Sequence, residues 1–69
     1  MAQKYYVHDI AQTSGDHEVH NQACSFLPNV ENRTYLGEFN DCHAAVEEAG
    51  KYYTKVDGCY YCSRECDHG

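Results

Sequence analysis

Three of the five cysteines in this 69-residue chain stand close together near its end, in GCYYCSREC, as Cys59, Cys62 and Cys66. They constrain the fold because little else in the chain can hold it together. Two Leu, one Ile, five Val and two Phe are its main apolar supply. That falls under the roughly 20% below which a highly charged chain tends to stay disordered. Seven tyrosines partly make up the shortfall, since each can bury a ring and keep its hydroxyl wet. A chain this short still buries too little surface to be secure alone. A cross-link is therefore expected, either disulfides or a metal.

Five cysteines cannot all pair within one chain. The opening residues, MAQKYYVHD, lack the charged-then-apolar run of a signal peptide. No apolar stretch approaches the ~18 residues of a membrane helix. The expectation is one domain over residues 1–69, monomeric, cytoplasmic and away from membranes. In such a reducing setting, clustered Cys and His bind metal more often than they pair. The formal charge is −6, with only five Lys and Arg. Nucleic-acid affinity rests on cations that neutralise phosphates, so the charge counts against that partner.

Residues 4–10, KYYVHDI, are rich in β-formers and predict a strand. The turn cluster Gln12-Thr13-Ser14-Gly15-Asp16 leads to a second short strand at residues 17–20. Residues 24–30 hold the only Pro and predict a loop whose Phe26 and Leu27 plug the core. Residues 33–39 predict a third strand, with Tyr35, Gly37 and Phe39 on one face and Leu36 on the other. Asn40 or Asp41 can cap a helix. Its apolar stripe is Cys42, Ala45, Val46, Ala49 and Tyr53, with Gly50 near its end. Cys42 reads there as a small buried hydrophobe. The fold class expected is α+β: a small three-stranded antiparallel sheet, one main helix, and a C-terminal zinc knuckle with a short helix.

Cys59-Tyr60-Tyr61-Cys62 is a C-x-x-C, which supplies half of a tetrahedral site. Gly58 lets the backbone curl into it. The other half lies upstream in His20-Asn21-Gln22-Ala23-Cys24, where i and i+4 side chains can reach one ion. A His nitrogen and three thiolates form a full structural zinc set: His20, Cys24, Cys59 and Cys62. Cys66 is the rival for the place of His20, because on a helix it would share a face with Cys59 and Cys62. Otherwise it is a free thiol beside the site. His8, His43 and His68 read as surface residues.

The order of these motifs resembles a known family. His20-x3-Cys24, the Phe26-Leu27-Pro28 loop, the strand from Arg33 to Phe39, the Ala-rich helix and Cys59-x2-Cys62 look like the small zinc domains of the Ada N-terminal type. The likeness covers residues 17–62. It implies a small antiparallel sheet packed with helices, and zinc held by His20, Cys24, Cys59 and Cys62. In Ada itself the first ligand is a cysteine that accepts a methyl group from DNA phosphotriesters. His20 has no thiolate to alkylate, so the likeness implies the fold without the repair chemistry.

The function expected is a structural zinc module, not an enzyme, that binds an unidentified protein. Its tyrosine pairs, Tyr5-Tyr6, Tyr52-Tyr53 and Tyr60-Tyr61, leave rings facing outward. Two alternatives remain: a nucleic-acid-associated zinc module using aromatic stacking, and a thiol–disulfide or alkyl-accepting protein using the Cys59/Cys62 pair.

Overall fold

The computed structural model describes residues 2–68. It is an α+β fold with a mixed sheet of four strands and one α-helix. In chain order these are β1 (Gln3–His8), β2 (His17–Asn21), β3 (Arg33–Phe39), α1 (Cys42–Ala49) and β4 (Val56–Gly58). Single 3-10 turns form at Val30–Asn32 and Arg64–Cys66.

The expected antiparallel trio is present. β1 lies centrally, pairing with β2 on one side and β3 on the other. The fourth strand is a correction to the three expected. β4 runs parallel to β2, with His17 opposite Val56 and Val19 opposite Gly58, so the sheet order is β3-β1-β2-β4. Asp57-Gly58 reads as a turn in sequence, yet in the fold it completes a sheet edge. The short C-terminal helix expected is no more than one 3-10 turn.

A β-bulge breaks the alternation expected along β3. Tyr5 pairs with Gly37 while Tyr6 pairs with Tyr35, leaving Leu36 as the extra residue. Leu36 is buried, and Phe39 packs against the same core despite its opposite parity. Gly37 takes φ 128°, a backbone conformation that L side chains rarely adopt.

The inner face of the sheet carries Tyr5, Val7, Val19 and Leu36 against Cys42, Ala45 and Ala49 of α1. Asp41 caps the helix by accepting the Ala44 N–H at 3.1 Å. The helix stops at Ala49, so Tyr53 falls beyond it. Tyr53 packs against the core, stacks on His17 with ring centres 3.6 Å apart, and donates its hydroxyl to Asp9.

Two cysteines depart from expectation. Cys42 and Cys66 form a disulfide that ties the start of α1 to the last 3-10 turn. Cys42 does sit on the apolar stripe, but as half of a cross-link, and Cys66 is not a free thiol. Disulfides persist mainly in oxidising compartments. Phe26 is a further correction: it is 56% exposed and does not plug the core. Among the described residues, no helix is long and apolar enough to cross a membrane.

Candidate metal centre

Val19 and His20 are both buried, but alternation sends them to opposite faces of the sheet. Val19 enters the helix-side core. His20 faces the other way and is only 2% exposed. It is covered by two segments that the fold brings together. One is the turn after β2, carrying Cys24. The other is the turn after β4, carrying Cys59 and Cys62. The parallel pairing aligns them: the Cys59 N–H continues the ladder by donating to the Val19 carbonyl at 2.9 Å.

The ligand atoms of His20, Cys24, Cys59 and Cys62 all lie within 4.8 Å of one another. This is the set expected from the sequence. Cys66 lies outside it, committed to Cys42. Cys42, His43 and Cys66 also converge, but two of those three are already joined as the disulfide. His43 and His68 are exposed and His8 is partly so.

The two cysteine turns are alike. Phe26 N–H points to the Cys24 sulfur and Tyr61 N–H to the Cys59 sulfur, each at 3.4 Å from the residue two further on. The Asn21 N–H donates to the Cys62 sulfur at 3.3 Å. Each sulfur thus receives a main-chain donor, the arrangement that suits thiolates. Gly58 makes the second turn possible through its missing side chain rather than through an unusual φ. A Cβ there would lie 2.6 Å from the Cys66 Cβ and from the Ser63 carbonyl oxygen.

The electrostatics are uneven across the three thiols. Burial pushes Cys24 up to about 12, with Cys62 and Cys59 beside it adding to the rise. Burial also raises Cys59. Burial opposes ionisation of Cys62 as well, but His20, Ser63 and the Asn21 N–H outweigh it and bring this thiol down to about 6. Three sulfurs at close range accept one negative charge readily and resist more. A cation among them would relieve that resistance.

His20 supplies a further test of fit. Both of its ring nitrogens are buried, and neither has a hydrogen-bond partner among the described residues. Buried polar atoms are rarely left so. An orphaned imidazole facing three sulfurs fits a metal ligand well. A carboxylate stands close by: Glu18 Oε1 is 3.6 Å from His20 Nε2.

Sequence reasoning missed two residues here. Phe26 follows Cys24 by two residues, and its exposed ring stacks on Tyr61 with centres 4.3 Å apart. Tyr61 in turn meets Tyr60 edge-on at 5.1 Å, and Arg64 covers the Tyr60 ring at 4.9 Å. The matching positions of Phe26 and Tyr61, each two residues after a cysteine, were the available signal. Glu18 was the other, and its signal was its place two residues before His20 on a strand.

No family model matches this chain, and neither does any curated protein or solved structure.

Proposed function

We propose that this chain is a small structural zinc module that presents an aromatic surface to a protein partner. The convergence of one His and three Cys donors from two distant segments carries the reading. Zinc takes this donor set in closed tetrahedral sites, which keep no open position for a reacting water. His20, Cys24, Cys59 and Cys62 would hold the ion. When bound, zinc supplies a cross-link worth on the order of 10 kcal/mol, and that binding energy becomes folding energy. The reading is thus of a structural site and not of an enzyme. The likeness to Ada-type zinc domains is part of it, without the methyl-accepting cysteine.

The protein partner is supported by the exposed cluster of Phe26, Tyr60 and Tyr61 beside Arg64. Aromatic residues and Arg are enriched at protein interfaces. Of the cysteines in the site, Cys59 is buried and Cys62 only partly so. Bound to zinc, neither thiolate would be free to attack a disulfide, which favours the structural reading over exchange chemistry.

Metal analysis of the purified chain tests the proposal. One equivalent of zinc is expected, lost together with the fold in His20→Ala and kept in Cys66→Ala. Zinc absent from the wild type, or lost equally in both variants, would overturn the assignment.

A further inference from the structure

We infer that Glu18 is a positioning residue for His20: its carboxylate accepts the Nε2–H and leaves Nδ1 to face the three sulfurs. The inference rests on the metal reading above and deepens it. Glu18 and His20 are two residues apart on β2, so their side chains leave the same face of the sheet. Glu18 Oε1 is 3.6 Å from His20 Nε2, and both ring nitrogens are buried without a hydrogen-bond partner among the described residues.

A neutral imidazole has one N–H and one lone pair. Ligation uses the lone pair and leaves the N–H buried, where it needs an acceptor of its own. Metal-bound histidines almost always give that proton to a carboxylate or carbonyl. At 3.6 Å the Glu18 oxygen stands just beyond hydrogen-bond reach. Glu18 is partly exposed, so a small side-chain rotation closes the gap. Charge keeps the carboxylate on the ring and off the ion. Three thiolates around a dication already carry a net negative charge, which does not attract a further anion.

The test is long-range proton–nitrogen NMR on the zinc-loaded full chain, with zinc affinity measured by chelator competition. Expected are a His20 ring bound through Nδ1 and a slowly exchanging Nε2–H. Glu18→Ala should weaken zinc about tenfold and speed exchange of that proton. Glu18→Gln, which keeps an acceptor oxygen, should recover most of both. Zinc bound through Nε2 would overturn the role of Glu18 alone, as would Glu18→Ala with wild-type affinity and exchange. A wild type that takes up no zinc would overturn the metal reading as well. The nitrogen assignment is read on the wild type, so it does not depend on any variant folding.

Discussion

Of the three sulfurs that face His20, Cys62 is the one drawn toward its thiolate. Burial resists this, but the His20 ring facing it, the Ser63 hydroxyl and the Asn21 N–H prevail and set the thiol at about 6. The stability this gives the metal-free fold is complete above the ordinary thiol value of 9.0 and is lost as pH falls through about 6. Cys24 has the opposite sign: its contribution is complete below 9.0 and is lost as pH rises toward about 12. In the metal-free protein, the stability gap between wild type and Cys62→Ser should therefore narrow as pH drops from 9 to 5. Denaturant midpoints across that range measure it, and a gap that stays constant would contradict the balance of donors described. At this scale the sequence was most legible for the site. Two spacings, H-x3-C and C-x-x-C, pointed to the four side chains that converge, because each pair lies within a single turn. The Cys42–Cys66 link was not legible. Cys42 fits a helical stripe as a small apolar residue, and nothing in the spacing tells which thiols meet through space.

Among the elements, β3 shows where a sequence pattern ends and backbone geometry takes over. Its bounds, Arg33–Phe39, follow directly from β-propensity. Which side chains point inward does not, because the bulge resets the parity between Leu36 and Phe39. Gly37 is the cue that was present. Glycine inside a strand often marks a bulge. Gly37→Ala should cost about 1–3 kcal/mol, since an L side chain is strained at this φ and its Cβ would lie 3.3 Å from the Phe39 ring. A thermal melt lowered by several degrees, with zinc content unchanged, is the expected result; an unaltered melting temperature would argue against strain at the bulge. β4 was illegible for a different reason. Three residues, Val-Asp-Gly, carry one β-former and a turn dipeptide. Only the parallel partner β2 makes them a strand, and that pairing is a long-range event. Helix α1 was easier, since Asp41 caps it in the manner that its sequence position suggests.

For the molecule as a whole, the sheet separates the disulfide from the candidate metal site. The disulfide lies with the helix-side core, and the His20 cluster lies on the opposite face. Residues 59–66 join them around the β4 edge of the sheet. The disulfide closes a sequence separation of 24, which the chain-entropy account values at about 3.5 kcal/mol. The double variant Cys42→Ser, Cys66→Ser should lose roughly that much stability to urea while binding zinc with wild-type stoichiometry. Loss of zinc in that variant would show that the two cross-links are not separate. With zinc bound as proposed, reduction of the disulfide would leave the metal as the remaining cross-link.

The parallel pairing of β4 with β2 has a consequence for synthesis. His20 and Cys24 leave the ribosome first, and Cys59 follows Cys24 by 35 positions. A nascent chain stopped anywhere before Cys59 holds only half of a coordination sphere. Unlike a hairpin finger, which can load from one contiguous stretch, this chain would complete a metal site only after Cys59 and Cys62 have been made. Under the proposed zinc reading, uptake of the ion would act as a proofreading step, passed only by chains in which β4 has found its place beside β2.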